Sequence, residues 1–483
     1  MLYRVLLFLI LFGLFQPITG QKNKFKVYFN TVQFYAPEVG NYVELFFQFD
    51  AKNSKFLQTG QGLQATVYMN LEIKDSTGKV HFKDEYLLNS PLFADSVVED
   101  FYEIRRVPLP AGIFQINMVI NDQNSKLPDL RGSDLFEVED FSRKPMLSEV
   151  EAIEFAKVDS IESSFMKNGY FILPKIHNYY GNTSLNLPIY YEVYNLNASE
   201  SYQLEQFLFN TETQEEVQGY RYQSPLSATD PVVPILRNID ISGLPSGAYA
   251  LNTTLKKEND SLLHAVTYLF ERGNFAVDDT IDERNIVLNP AFQKSLSDDS
   301  LYFFLESILP IAKSAENKNI LRLLKSSDFG ALRKYFQAFW NQTSPGDAYN
   351  AWIKYKAQVW YVDKLFRTNF QAGHATDRGR VYLQYGAPSN VNAREGSPSE
   401  YPYEVWFYNK IGKFSNRRFV FYNPDLANNA YRLLHSDLIG EVKNPGWSQI
   451  LSKRNTINGT VDDPNLFNDR HWGQNSNDLF RQY

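Results

Sequence analysis

The strongest constraint on the fold of this chain is an internal echo. Leu109-Pro110-Ala111-Gly112-Ile113-Phe114 returns as Leu244-Pro245-Ser246-Gly247-Ala248-Tyr249, an offset of 135 residues, and Leu135-Phe136-Glu137 returns as Leu269-Phe270-Glu271 at an offset of 134. Two landmarks that keep their spacing over such a distance mark a tandem repeat of one module. Inside the first copy the apolar residues have period two. Ala65, Val67, Met69, Leu71 and Ile73 alternate with Thr66, Tyr68, Asn70, Glu72 and Lys74, and Asp75-Ser76-Thr77-Gly78 then supplies a turn into Val80 and Phe82. Val43, Leu45, Phe47 and Phe49, and Phe114, Ile116, Met118 and Ile120, form two more inward rows. Strands at this spacing predict two tandem all-β, immunoglobulin-like sandwiches, over 24–145 and 146–275, joined between Ser142 and Leu147. In each Pro-x-Gly turn, proline sets φ and glycine takes the positive-φ position. Between Ser148 and Lys167 the apolar residues Val150, Ile153, Ala156 and Val158 fit neither period.

After Gly273 the pattern becomes helical. Ser297-Asp298-Asp299 caps a helix through Leu301, Leu305 and Ile308 that ends at Pro310, and Ser327-Asp328 caps a second with Phe329, Leu332, Phe336 and Phe339 on one face. A third begins with Ser344 as N-cap, Pro345 as first helical residue and Asp347 near the positive end of the dipole. Along it Ala348, Trp352, Tyr355, Val359, Val362 and Phe366 make a continuous buried stripe. This helical segment, 285–371, precedes a small α+β domain at 372–455. All six tryptophans lie beyond residue 339, so the two share one aromatic core. The tail, 456–483, sets Phe467, Trp472, Phe480 and Tyr483 among polar residues and cannot build a core of its own.

At 483 residues the chain needs several cores, consistent with this multidomain reading. Residues 1–20 read as a secretory signal: Arg4, then an apolar run from Val5 to Phe15, then Pro17-Ile18-Thr19-Gly20 before a cut near Gln21. That run is too short to span a bilayer. Removing Arg4 leaves 47 basic against 55 acidic residues, a balance that argues against nucleic acid as the partner. The absence of cysteine excludes a disulfide framework, a thiolate metal site, a cysteine nucleophile and a lipidated N-terminal cysteine. An exported chain without cysteine suits a bacterial periplasm.

The densest run of backbone-constraining residues is Gly373-His374-Ala375-Thr376-Asp377-Arg378-Gly379-Arg380-Val381-Tyr382-Leu383-Gln384-Tyr385-Gly386-Ala387-Pro388. With Tyr403-Glu404-Val405-Trp406-Phe407-Tyr408 and Arg418-Phe419-Val420-Phe421-Tyr422, it resembles the signature of the bacterial GWxTD-domain proteins, with His374 standing where that family has its tryptophan. The resemblance implies a secreted or envelope protein and no particular reaction. The order of Gly-x-Pro, a Trp-Phe-Tyr strand and a Phe-Val-Phe strand also looks like the small α/β modules of outer-membrane assembly lipoproteins, without their anchor cysteine.

On paper His374 and Asp377 could form a base with its orienting carboxylate beside an anion clamp of Arg378 and Arg380. The structural alternative makes Asp377 a cap for backbone N–H groups and pairs an arginine with a carboxylate. Gly379 and Gly386 then supply positive φ or close approach, and Pro388 stops the element. Gly373 and Thr376 complete this fold-defining turn. No nucleophile elbow, zinc-peptidase helix, P-loop or dinucleotide fingerprint occurs, and the six histidines are scattered singly, at least four of them expected at the surface, so no cofactor or metal is called for. The leading expectation is a non-enzymatic envelope protein that binds a protein partner, outer-membrane-associated, with Trp406, Tyr408, Trp472 and Tyr483 as candidate anchors. A second is a glycan-binding module that uses Tyr179-Tyr180 and Tyr190-Tyr191. A third is a periplasmic hydrolase in which His374, Asp377 or His435 converge.

Overall fold

The computed structural model describes residues 25–94, 97–228, 230–278, 281, 286–397, 399–426, 429–452 and 454. The signal-like segment and the tail with Trp472 and Tyr483 lie outside them.

In the first module seven strands, β1 (Val27–Ala36), β2 (Gly40–Phe49), β3 (Thr66–Asp75), β4 (Val80–Asn89), β5 (Phe101–Pro108), β6 (Gly112–Asp122) and β7 (Leu130–Val138), form sheets of order β1-β2-β5 and β4-β3-β6-β7. The inward rows read from the sequence meet in one core between the sheets. In the second module β8 (Glu151–Val158), β9 (Asn186–Tyr194), β10 (Tyr202–Asn210), β11 (Glu215–Leu226), β12 (Val232–Asp240), β13 (Gly247–Lys257) and β14 (Leu262–Arg272) repeat that order as β8-β9-β12 and β11-β10-β13-β14.

The landmarks of the echo occupy equivalent sites. Leu109 and Leu244 are each buried just before the strand that opens with Gly112 or Gly247. Phe114 faces Phe136 across β6 and β7 with rings 6.0 Å apart, and Tyr249 faces Phe270 across β13 and β14 at 5.7 Å. The glycines differ. Gly112 has φ +152°, whereas Gly247 is outside the positive-φ set and is kept small because a Cβ there would come 3.1 Å from the Tyr249 ring.

Sequence alternation leaves the second face of β2 to solvent, yet every residue from Val43 to Phe49 is buried. The reason is that the β1-β2-β5 sheet packs face to face on the sheet that holds β8, β9 and β12: Val32, Phe34, Phe46 and Ile104 of the first module meet Ile153, Ile172, Ile176 and Tyr190 of the second. Charges are buried in this joint. Lys167 Nζ donates to Glu44 Oε2 and Glu151 Oε2, both at 2.6 Å, and lies 3.8 Å above the Phe34 ring, while Arg106 Nε donates to Glu44 Oε1 at 2.8 Å. The stretch of mixed period is β8 with a bulge between Ile153 and Phe155, joined on its outer side by an inserted strand, Tyr170–Pro174.

The C-terminal part begins with helices α1 (Pro290–Ser295), α2 (Asp298–Ser307), α3 (Ser314–Leu323), α4 (Phe329–Thr343), α5 (Ala348–Phe366) and α6 (Asp377–Tyr385). An antiparallel sheet β15 (Asn390–Arg394), β16 (Tyr403–Ile411), β17 (Phe414–Tyr422) and β18 (Arg432–Ser436) follows, then α7 (Trp447–Ser452). Asp328 caps α4 by accepting from Ala331 N. The α5 stripe is buried as expected, but the helix starts at Ala348 and not at Pro345, because Gly346 takes φ +82° in a turn that keeps Ser344 and Pro345 outside the helix. One core joins Leu301, Phe304, Trp352 and Val362 to Val381, Trp406, Phe419 and Phe421. The boundary drawn at 371/372 therefore cuts through a single unit, since neither the helices nor the sheet could bury its apolar face alone. Of the tryptophans, Trp340, Trp352 and Trp406 share that core, Trp447 packs on the other face of the sheet, and Trp360 is half exposed.

This unit seats on the second module where two glycines leave room. A Cβ on Gly412 (φ +56°) would lie 2.9 Å from Gln214 Cβ, and one on Gly440 (φ +94°) would lie 2.6 Å from Thr211 Cβ. Among the described residues no helix is long and apolar enough to cross a membrane.

Candidate functional site

The signature folds as a 3-10 turn followed by α6, and its side chains are bound into the fold one by one. Thr376 is the N-cap: its Oγ1 accepts from Gly379 N at 3.1 Å and donates to Gly373 O at 2.7 Å. Asp377 sits in the first turn, and its Oδ2 accepts from Leu433 N at 2.7 Å, which ties α6 to β18. Gly373 and Gly379 are contact points rather than flexible ones. A Cβ on Gly373 would lie 2.4 Å from Asp363 Cα, and one on Gly379 would lie 1.8 Å from Gly373 O, so this turn can lie on α5 only if both lack side chains. Asp363 Oδ1 accepts from Gly373 N at 2.8 Å and completes the seat.

Both arginines are paired. Arg378, with its side chain almost wholly buried, donates to Glu404 Oε1 at 2.7 Å and to Asn429 Oδ1 at 2.6 Å, and its guanidinium lies 4.2 Å from the Tyr431 ring centre. Arg380 grips Glu441 through two parallel bonds of 2.8 and 2.7 Å, and Tyr385 OH donates to the same carboxylate at 2.8 Å. Gly386 ends α6 with φ +85°, and Pro388 follows before β15. Val381 and Leu383 enter the core.

His374 is 3% exposed and edge-on to Phe303 at 4.8 Å, with Phe303 stacked on Trp360. Its Nε2 lies 3.5 Å from Glu306 Oε2, too far for a good hydrogen bond. Burial lowers its pKa against the opposing pull of Glu306, so the ring is neutral in an aromatic pocket. His435 accepts from Asn444 N through Nδ1 at 3.1 Å and stacks on Trp447, and burial lowers its pKa to about 4. His374, Asp377 and His435 thus have separate partners in separate packing clusters.

Other sequence expectations need correction. Trp406 and Tyr408 are buried because both point into the core shared with α5 and α6, with Trp406 Nε1 donating to Glu404 Oε2 and Tyr408 OH to Gly386 O, so they cannot anchor a partner. Of the four tyrosines named for a sugar, Tyr180, Tyr190 and Tyr191 are buried in the second module and offer no stacking face, and Tyr179 alone is exposed. Among the described histidines only His177 is exposed, since the others were drawn into pairs or packing. Sequence reasoning missed the outer side of α5, where Ile353, Trp360, Tyr361 and Leu365 are exposed, with Phe370 just beyond at 85%. The signal was there: Trp360 and Tyr361 fall outside the buried stripe.

Comparison with solved structures gives only faint likenesses. They include red sea bream transglutaminase (6% identity, 51% of this chain and 31% of that one, TM-score 0.17). A biofilm-associated protein BSP domain (10%, 53% and 53%, 0.17) and a Bacteroides uniformis β-glucuronidase (10%, 57% and 32%, 0.17) are similar to the same degree. The chain spans about a third to a half of the length of these structures, and TM-scores this low support no fold assignment. No curated protein matches. A family model does: residues 299–452, from α2 to the end of α7, match the GWxTD domain, and the chain contains a GWxTD domain.

Proposed function

We propose that this chain is a non-enzymatic, exported envelope protein that serves as an interaction scaffold in an outer-membrane-associated assembly. Its two repeats are immunoglobulin-like modules and its GWxTD domain carries a partner-binding face. The observation that carries this reading is that four polar signature side chains are engaged within the fold, Thr376 and Asp377 with backbone groups, Arg378 with Glu404 and Arg380 with Glu441, while His374 is held by aromatic packing. A neutral histidine without a nucleophile supplies about 10²–10⁴-fold of rate, short of what hydrolysis requires. The aromatic outer side of α5, rimmed by Lys354, Lys364 and Arg367, has the composition of a protein contact.

The test is photo-crosslinking in the native envelope from a probe at Trp360 or Phe370, with exposed Lys83 as control, alongside complementation by variants. The expected outcome is a defined protein adduct from the α5 positions alone, loss of function in a Trp360→Ala/Tyr361→Ala double variant, and tolerance of His374→Trp. A His374→Trp protein that folds normally yet fails to complement, with the α5 variant intact, overturns the reading.

A further inference from the structure

We propose that the cleft where both sandwiches meet the GWxTD domain is a docking groove for an extended polypeptide segment carrying a lysine or arginine, added as a strand to the open edge of β1. The proposal rests on the interaction reading and names the chemistry of the partner. The cleft holds about 810 Å³ between Asn30–Val32 of β1, residues 265–269 of β14 and the segment 435–443.

Its two β walls are sheet edges. Among the described residues β1 pairs with β2 alone, and its outward groups are identified by where two of them go: Gln33 N donates to Glu149 Oε2 at 3.0 Å and Tyr35 N to the Tyr194 hydroxyl at 3.0 Å. Ladder alternation puts the N–H and C=O of Thr31, which lines the cleft, and of Phe29 just beyond it in the same outward row. β14 pairs with β13 on one side, and on the other, among the described residues, Tyr179 and Tyr180 meet only Glu271 and Arg272. Leu269 O, which accepts from Asn178 Nδ2 at 3.3 Å, fixes the outward row there as the odd residues, so Thr267 and Ala265 also face the cleft. Rows of main-chain donors and acceptors recognise another main chain, which a small amine or a sugar cannot match.

The charge sets the side chain. Glu149 and Glu139 line one end, and Glu139 also accepts from His264 Nε2 at 3.2 Å. Asp437 also lines the cleft, with Arg418 Nε 3.9 Å from its Oδ2, and Glu441 is held by Arg380. Lys443 opposes them, while His435 is neutral at physiological pH. Carboxylates outnumber cations among the lining residues, and a cation beside Glu149 would draw off the proton that burial lets it keep, so a basic residue is favoured and an acidic one repelled. Val32, Val150, Ile176 and Leu438 give apolar walls for its neighbours.

The experiment titrates a fluorescent nonapeptide of alternating threonine and valine with a central lysine into the full chain, by anisotropy at low salt. Expected are saturable binding, at least a tenfold loss when the lysine becomes glutamate, loss of binding on N-methylation of alternate amides, and weakening by Glu149→Gln and by Thr31→Pro. Because the chain has no cysteine, Asn30→Cys with a cysteine-bearing probe reports position, and disulfide trapping should outpace that at a Lys83→Cys control. No saturable binding, equal affinity for the lysine and glutamate probes, or equal trapping at the two cysteines overturns the proposal. If the α5 crosslinks persist in that case, only the groove is removed; if they too are absent, the interaction reading falls with it.

Discussion

The first strands of the two sandwiches occupy the same place in the same topology and treat their outer edges oppositely. β8 leaves β9 after Ala152 and is covered by the inserted strand Tyr170–Pro174. β1 stays paired with β2 over its full length, and its other edge is met by side chains, Glu149 on Gln33 and Tyr194 on Tyr35. An unprotected edge invites pairing with another chain. One copy removes that invitation with a strand, while the other caps part of the row and leaves the rest facing a cleft. The repeat therefore preserves cores and strand order, and what differs between copies lies at the rims, where partners can reach.

The comparison can be broken first at the joint that holds the copies together. Lys167→Met leaves Glu151 buried without its cation and Glu44 with Arg106 alone, and should cost about 3–5 kcal/mol by chemical denaturation of the full chain; a change under about 1 kcal/mol would mean the joint carries little. The equivalence of the cores is tested by Phe270→Ala and Phe136→Ala, each expected to cost about 3–5 kcal/mol, with the larger loss at Phe270, which is the more deeply buried. Contrasting edges should respond differently to proline. Lys157→Pro, on the strand paired to Phe171, loses a ladder bond and should cost about 3 kcal/mol, whereas Thr31→Pro on the open row should cost less than about 1 kcal/mol. Equal penalties would show that β1 is not an open edge.

The smallest expected effect is a pH slope. Burial, with Glu139 adding repulsion, raises the Glu149 pKa from 4.5 to about 7. Between those values the folded chain holds a proton that the unfolded chain has lost, so this group's contribution to stability falls as pH rises from about 4.5 to about 7 and is level above. Burial raises Glu151 in the same sense. Glu149→Gln should flatten part of that decline, read from denaturation midpoints on either side of the window, and an unchanged slope would assign the titration elsewhere.

Much of the fold was legible because it is written in periodicity. The echo was readable because Phe114 with Phe136, and Tyr249 with Phe270, are the same contact made twice. Asp377 was recognisable as a residue that bonds backbone N–H groups and the arginines as residues that seek carboxylates, whereas the N-cap itself proved to be Thr376, read only as part of the turn. That the signature is a helix was less visible, since Gly379 in its first turn lowers helix propensity and is required by a contact with Gly373 that no local pattern encodes. The joint between sandwiches was missed because Glu44 and Gln48 alternate with the inward row of β2 like ordinary solvent-facing residues. Phe46 between them was the one discordant sign. The groove was not legible at all, because it is assembled from three segments hundreds of residues apart.

The buried position of Lys167 also fixes an order of events during synthesis. A chain made from its N-terminus completes β1 to β7 before residue 167 exists, and in that interval Glu44 has no Lys167 and the rings of Phe34 and Phe46 have no second module to cover them. Until then the first module is an unfinished half with a sticky apolar face on which Glu44 is held by Arg106 alone, and it is completed only when the polypeptide that follows folds back onto it.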